Sequence, residues 1–328
     1  MQRSSTALAA MLIAIVAASA LAACSKKEAA QPVAESPAPA PAAVAPAPVS
    51  QNVKPFKVGE LEAFALRDGG MEIPNDNKVL GVGRTPEEVA AVLSAAGQPT
   101  DKLALSIQPL LVKTTDRVLL FDTGAASAFG PGAGKLPESL AEAGIDPQSV
   151  TDIFISHAHG DHVGGLLKAD LTLAFPNAAI HISKPEWKFM AGLSEEKAKE
   201  MGIENYPARI AAIKPKVAEF APGSELVPGV VKAVEIKGHT PGHSGYLITS
   251  GADSLLYVGD SMHHFVVSVQ KPEWTIAFDG DSAVASRSRA DLIAASAASG
   301  QRIYAVHFPF PGIGKFEKQG DHFAWVAE

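Results

Sequence analysis

Within six residues the chain carries four side chains able to bind a metal: His157, His159, Asp161 and His162, in the run His157-Ala158-His159-Gly160-Asp161-His162. Imidazole nitrogens and carboxylate oxygens are ordinary ligands of zinc and other first-row divalent ions. Crowded together, three imidazoles and a carboxylate repel one another if charged. If buried neutral they lose solvation, unless a cation holds them. The apolar residues Ile153, Phe154 and Ile155 just before the cluster read as a strand that delivers it to a sheet end. A polar surface loop that merely happens to be His-rich is the bland alternative.

The same grammar returns three times. Val234-Glu235-Ile236 leads to Gly238-His239, Leu255–Val258 leads to Gly259-Asp260, and Ile303–Val306 leads to His307. Strand ends in α/β sheets gather on shared sites, so these loops can converge. Gly238 and Gly259 admit tight turns that aim the next side chain inward. The candidate ligands are then His157, His159, Asp161, His162, His239, Asp260 and His307, five imidazoles and two carboxylates. A catalytic zinc takes three protein ligands and keeps a position open. Seven therefore suit two ions, with Asp260 the natural bridge. Two ions roughly 3.5–4 Å apart share a hydroxide and clamp both oxygens of a displacement.

With these residues in view, the chain resembles the metallo-β-lactamase superfamily of dinuclear hydrolases. His-x-His-x-Asp-His, the stretch Gly238-His239-Thr240-Pro241-Gly242-His243-Ser244, Gly259-Asp260 and the late His307 stand in that family's order and spacing. The resemblance implies an α/β (α+β) fold, a four-layer αβ/βα sandwich with the metals at one edge of two sheets. It also implies that His157, His159 and His239 hold one ion, that Asp161, His162 and His307 hold the other, and that Asp260 and a hydroxide bridge them. Zn²⁺ is the expected metal, with Mn, Fe or Co also compatible with His/Asp ligands. Within the superfamily the likeness is greatest to methyl parathion hydrolase and N-acyl-homoserine lactonase-like members, on the 239–260–307 spacing and on Phe310-Pro311-Gly312-Ile313-Gly314. True β-lactamases carry Cys or Ser where this chain has Asp260. Some lactonases place a tyrosine three residues after the bridging aspartate, and His263 stands there. Asp161 and His263 are thus the expected catalytic side chains, Asp161 orienting the hydroxide and shuttling its proton, His263 donating a hydrogen bond or proton.

Other residues carry weaker expectations. His243 reads as holding its loop or a ligand by hydrogen bond. Asp122, ending a strand in Asp-Thr-Gly, orients a ligand histidine or the metal loop, or is an ordinary turn aspartate. His264 has no assigned role, and His181 and His322 read as structural or exposed. Trp187, Phe189, Phe265, Phe308 and Phe310 wall a pocket or pack the core.

These residues need elements to carry them. Strands are expected over Lys57–Leu66, Leu105–Val112 paired with Arg117–Asp122, Val150–Ser156, Ala179–Ile182, Val230–Ile236, Gly245–Thr249, Ser254–Val258 and Arg302–Ala305. Thr85-Pro86-Glu87-Glu88 starts a helix with a capping box, ended by Gly97. Further helices are expected at Pro137–Ala143, Val163–Lys168, Pro185–Leu193, Glu195–Met201 and Tyr206–Lys214. Ala283–Ser299 reads as the clearest amphipathic one. Three segments organise the 328 residues: a lipoprotein-type signal over 1–23, an Ala/Pro-rich tether over 24–52, and one hydrolase domain over 53–328. Cys24, the only cysteine, stands where a lipidated N-terminus would form, which places the protein in the periplasm or at the outer membrane and attaches it to a membrane only there. It also rules out an internal disulfide. A net charge of −7 without a Lys/Arg block speaks against nucleic-acid binding.

The sum is a secreted, lipid-anchored dinuclear hydrolase that cleaves an ester, lactone or phosphotriester of a small molecule. The alternatives are a metal-dependent oxidoreductase or sulfur-handling enzyme on the same fold, a β-lactamase, or a non-catalytic metal-binding lipoprotein.

Overall fold

A computed structural model describes residues 50–127 and 129–328. The expected signal, Cys24 and all of the tether before residue 50 lie outside the described residues. Among the described residues no helix is long and apolar enough to cross a membrane.

The first half runs β1 (Val53–Val58), β2 (Leu61–Leu66), β3 (Gly69–Pro74), β4 (Leu80–Val82), α1 (Pro86–Ala95), β5 (Lys102–Ile107), β6 (Leu110–Lys113) and β7 (Val118–Phe121). It continues with α2 (Leu136–Glu142), β8 (Asp152–Phe154), α3 (Gly160–Val163), β9 (Ala179–Ser183), α4 (Lys184–Ala191), α5 (Glu195–Glu200), α6 (Tyr206–Ile213) and β10 (Val217–Phe220). The second half contains β11 (Glu225–Val227), β12 (Val231–Glu235), β13 (Ser244–Ser250), β14 (Asp253–Tyr257), α7 (Val267–Gln270), β15 (Thr275–Ile276), α8 (Ser282–Ser299), β16 (Arg302–Tyr304), β17 (Ile313–Gln319) and β18 (His322–Ala327). Two seven-stranded sheets form, ordered β1-β2-β6-β7-β8-β9-β10 and β11-β12-β13-β14-β16-β17-β18.

Strand alternation builds the layers, because successive side chains point to opposite faces. Leu119 and Phe121 enter the core between the sheets, while Leu120 faces the helices outside. Phe154 points between the sheets, with Ile153 and Ile155 outward against α2, α4, α5 and α6. In the second sheet Leu255 and Tyr257 point inward, and Leu256 and Val258 pack under α8. The result is the αβ/βα sandwich that the sequence led us to expect.

Several expected elements differ. Lys57–Leu66 is a hairpin, turned at Gly59, where φ is +55°. The expected single strand Leu105–Val112 is broken at Gln108-Pro109: β5 pairs with β3, and only β6 pairs with β7. Pro109 has no N–H for a ladder, and buried Gln108 donates its amide to the carbonyls of Ala305 and Phe308 at 2.9 and 3.1 Å. The helix expected from Val163 begins instead at Gly160, so Asp161 and His162 stand in its first turn. The long helix α8 does not bury an apolar stripe; its buried residues are Ala285, Arg289, Ile293 and Ser296. Strands β17 and β18 lie outside the expected elements: in β17 the exposed Lys315 and Glu317 flank buried Phe316, leaving too short an apolar run to read as a strand.

One buried carboxylate joins the two halves near their common edge. Glu186, in the first turn of α4, is fully buried. Its Oε1 accepts from the Ala158 backbone N–H at 2.8 Å, and its Oε2 accepts from Thr240 Oγ1 and the Gly242 N–H, both at 2.8 Å. Burial pushes its carboxyl up to about 7, against the pull of those three hydrogen bonds. Glu186→Ala strands the Ala158 and Gly242 donors and leaves a cavity, a loss on the order of 3–5 kcal/mol. Urea unfolding of the metal-free variant beside wild type measures it; a loss below about 1 kcal/mol would show that the clamp is dispensable.

Candidate metal centre

Four chain segments bring the seven expected residues to one place at the edge of both sheets. β8 ends at Phe154 and hands over to His157 and His159, and α3 supplies Asp161 and His162. His239 follows β12, Asp260 follows β14, and His307 follows β16. Gly238 and Gly259 are left-handed, with φ of +113° and +50°. A Cβ at Gly238 would overlap the Ala285 backbone, and one at Gly259 would overlap the His243 ring.

The donor atoms fall into two sets. His157 Nε2, His159 Nδ1 and His239 Nε2 form a triangle with edges of 2.9, 2.9 and 3.1 Å. Ligands of a tetrahedral zinc at Zn–N of about 2.0–2.1 Å would stand roughly 3.3 Å apart, so three lone pairs already converge close to the separation one small cation requires. In the second set, Asp161 Oδ2 is 3.6 Å from both His162 Nε2 and His307 Nε2. Asp260 lies between the sets. Its Oδ1 is 3.1 and 3.0 Å from His162 Nε2 and His307 Nε2, whereas its Oδ2 is 3.6 and 3.5 Å from His157 Nε2 and His239 Nε2. His162 Nε2 and Asp260 Oδ1 are buried without a hydrogen-bond partner. Buried polar atoms are rarely left so. The arrangement fits divalent cations, with His157, His159, His239 and Asp260 in one cluster and Asp161, His162 and His307 in another.

Four of the five imidazoles, all but His159, are held from behind. His162 Nδ1 donates to Asp122 Oδ2 at 2.7 Å, and His239 Nδ1 donates to Asp279 Oδ1 at 3.0 Å. His307 Nδ1 donates to the Ser106 carbonyl at 2.7 Å, and His157 Nδ1 to Ser156 Oγ at 3.0 Å. Such partners select the tautomer that leaves Nε2 free for a cation. Asp122 thus orients His162, a candidate ligand. It also takes hydrogen bonds from the Ser156 N–H, Ser156 Oγ and Tyr257 Oη at 2.6–2.7 Å. His243 holds its loop: its Nδ1 donates to the Ile236 carbonyl at 3.0 Å, and its Nε2 accepts the Asp260 N–H at 2.9 Å.

The two sets differ electrostatically. Burial, with the neighbouring imidazoles, holds His157 and His239 well below the usual range, and burial takes His159 down to about 3. Burial works the same way on His162 and His307, but Asp260 and Asp161 overcome it and raise both, His162 well above its ordinary value, with Asp122 adding to the rise there. Burial opposes ionisation of Asp260, yet His162, His307 and His157 hold it well below the carboxylate range.

His263 is buried with neither ring nitrogen hydrogen-bonded. Its Nε2 is 3.2 Å from Asp260 Oδ2, and its ring stacks on His307. His264 points elsewhere, accepting the Val266 and Val267 N–H groups, and burial lowers it to about 4. His181 pairs with Asp152 at 2.8 Å, and His322 is on β18 beside exposed Asp321. A cavity of about 900 Å³ opens over the centre, lined by His159, Asp161, His239, Asp260, His263 and His307. Its apolar walls include Met71, Leu105, Phe129, Phe189, Met201 and Phe278. Of the aromatics proposed as walls, Phe189 is there, Phe265 and Phe310 line a separate cavity, and Phe308 and Trp187 pack in the core. Glu186 and Asp279 escaped the sequence reading. Asp279 sits in the stretch Ala277-Phe278-Asp279-Gly280-Asp281, which carries no metal-like spacing.

Comparison with known proteins agrees with this geometry. Two solved chains superpose with 84% of this chain and 97% of their own length covered. AidC, a dizinc quorum-quenching lactonase, has a TM-score of 0.77 at 30% identity, and the hydrolase AbOPH of the beta lactamase superfamily has 0.75 at 29%. An N-acyl homoserine lactonase of a Bacillus species is 30% identical over 169 residues, 46% of this chain and 61% of the relative. A probable metallo-hydrolase of Mycobacterium tuberculosis (strain ATCC 25618 / H37Rv) is 26% identical over 191 residues, 49% of this chain and 58% of that protein. The chain thus spans about three fifths of the length of these curated relatives. Residues 105–305 match the metallo-beta-lactamase superfamily as a whole. With a sandwich fold and a buried His/Asp centre at the edge of its sheets, this chain belongs to the metallo-beta-lactamase superfamily.

Proposed function

We propose that this protein is a dinuclear metallo-hydrolase that opens a lactone or cleaves a related ester or phosphotriester of a small, partly apolar molecule. The single observation that carries the reading is the carboxylate of Asp260, whose two oxygens face two separate sets of donor atoms. His157, His159 and His239 would hold one cation, and Asp161, His162 and His307 the other. Zinc is the favoured metal, supported by the dizinc lactonase among the structural relatives. Cations bound there supply Lewis acidity and a water acidified toward neutral pH.

The chain's own residues do the rest. Asp161 Oδ2 faces the cavity beside His162 and His307, placed to accept the proton of the attacking water and return it to the leaving oxygen. His263, unpartnered at the cavity wall, donates a hydrogen bond to the substrate's oxygen. The walls of Met71, Leu105, Phe129, Phe189, Met201 and Phe278 take an acyl or aryl group and exclude water from it. Export and anchoring at Cys24 belong to the same proposal and rest on the N-terminal sequence alone.

Asp161→Asn keeps the side chain's shape but removes its basicity. We expect kcat on an acyl-homoserine lactone, an aryl ester and a phosphotriester to fall at least ~100-fold, a usual size for lost acid–base catalysis. Steady-state kinetics on metal-loaded protein checks this, and full turnover on whichever substrate wild type accepts would remove Asp161 from the mechanism.

Protons and cations compete for the same imidazole lone pairs. His162 and His307 bind protons at higher pH than His157, His159 and His239. As pH falls, protons should compete first at the Asp161/His162/His307 set, unless the carboxylates that raise those histidines hold the cation as strongly. Stepwise dialysis to lower pH with metal analysis should pass through a stage holding one ion per chain, with His157, His159 and His239 still engaged. Loss of both ions in one step would refute this order of release.

Cys24→Ser should move the protein from the membrane fraction to the soluble periplasmic fraction of an expressing Gram-negative cell. An unchanged distribution would count against the anchor.

A further inference from the structure

The histidine partners are not equivalent, and the difference traces to one buried arginine. Behind His239 stands Asp279, whose Oδ1 accepts from Nδ1 at 3.0 Å. The other oxygen, Oδ2, is 3.2 Å from Arg289 Nη2. Arg289 is fully buried in the middle of α8, on the stripe shared with Ala285, Ile293 and Ser296. Its Nε donates to the Pro272 carbonyl at 3.0 Å, and its Nη1 donates to the Ser261 carbonyl at 3.1 Å. Burying a guanidinium costs several kcal/mol unless its donors are met and its charge is balanced. Replacing Arg289 alone by leucine or methionine would strand the buried Asp279 carboxylate, so the two stand as a pair, and the pair is placed where it reaches His239.

We propose that Arg289 is a positioning residue for the cation set of His157, His159 and His239. It acts through two arms. Through Asp279 it fixes the ring of His239, and through the Ser261 carbonyl it holds the turn that presents Asp260. The inference rests on the dinuclear reading above. Asp279 also borders the cavity. Deprived of Arg289, its carboxylate is left buried with one oxygen unpaired, and it regains water by turning toward the cavity and away from His239. Among the described residues no comparable strut serves the other set: Asp122 behind His162 is held by Ser156 and Tyr257, and His307 leans on the Ser106 carbonyl. Removal of Arg289 should therefore be felt chiefly by the cation of the His157, His159 and His239 set, because the other set shares only the Asp260 arm.

Cobalt(II) titration of full-length wild type, Arg289→Met, Arg289→Lys and Asp279→Asn provides the test, reading both the affinity of each binding event and the visible absorption of the bound ion. In Arg289→Met one event weakens 10–100-fold, the usual cost of losing an outer partner, and its absorption bands shift, while the other event, which shares only the Asp260 arm, weakens several-fold less. Arg289→Lys restores the charge opposite Asp279 and recovers part of the loss. Asp279→Asn, nearly isosteric, weakens the same event and carries the test if Arg289→Met does not fold. Unchanged affinities and spectra, or equal weakening of both events, overturn the proposal. Wild type binding fewer than two cobalt ions would instead defeat the dinuclear reading, and Arg289 would then be judged on the remaining event, an unchanged affinity again overturning its role.

Discussion

Mutual repulsion among buried, ionisable side chains is the constraint that organises this molecule. Five imidazoles and two carboxylates meet with donor atoms about 3–3.6 Å apart, almost wholly out of water. In such a place like charges are costly and unpaired lone pairs are wasted. The protein resolves half of the conflict itself: burial lowers the proton affinity of His157, His159 and His239, while Asp260 and Asp161 raise that of His162 and His307, with Asp122 adding to the rise at His162. A divalent cation resolves the rest, because it needs just such a convergence of lone pairs.

Holding that convergence demands stiffness around it. Strand ends of both sheets supply the ligands, so the core between the sheets sets the distance between them. Three buried carboxylates then lock the loops. Asp122 fastens Ser156 and His162 to Tyr257 of the second sheet, Glu186 fastens the Ala158 loop to the Thr240–Gly242 turn, and Asp279 fastens His239 to the region of α8. Each accepts hydrogen bonds from more than one segment, which is how a single side chain registers chain positions that are remote in sequence. Above this rigid floor, the cavity walls come from other segments: β3, β5, the 129 region, α4 and the 278 loop. Chemistry and selectivity thus reside on different parts of the fold.

The seven candidate ligands were legible because their signal is local. His, Asp and Gly stand one to three residues beyond apolar strands, and those strands formed nearly where alternation put them. The layer order followed once hydrophobic faces had to be buried on both sides of each sheet. Illegible features all involve partners distant in sequence. The break at Gln108-Pro109 depends on carbonyls near residues 305–308; β17 and β18 depend on pairing that charged residues disguise; Arg289 looks like an intrusion in an amphipathic helix until Asp279 is seen beside it.

Sequence by itself singled out the residues that could bind a cation, since ligand chemistry and strand-end spacing are written within a few positions of each other. It also determined that the set is too large for one catalytic ion. Tertiary structure alone decided how those ligands divide, which ring nitrogen each presents, and that Asp260 turns one oxygen to each set. Those properties depend on the relative placement of segments 80 or more residues apart, as in the 82-residue separation of His157 and His239. Only the packing of one sheet on the other fixes such placement.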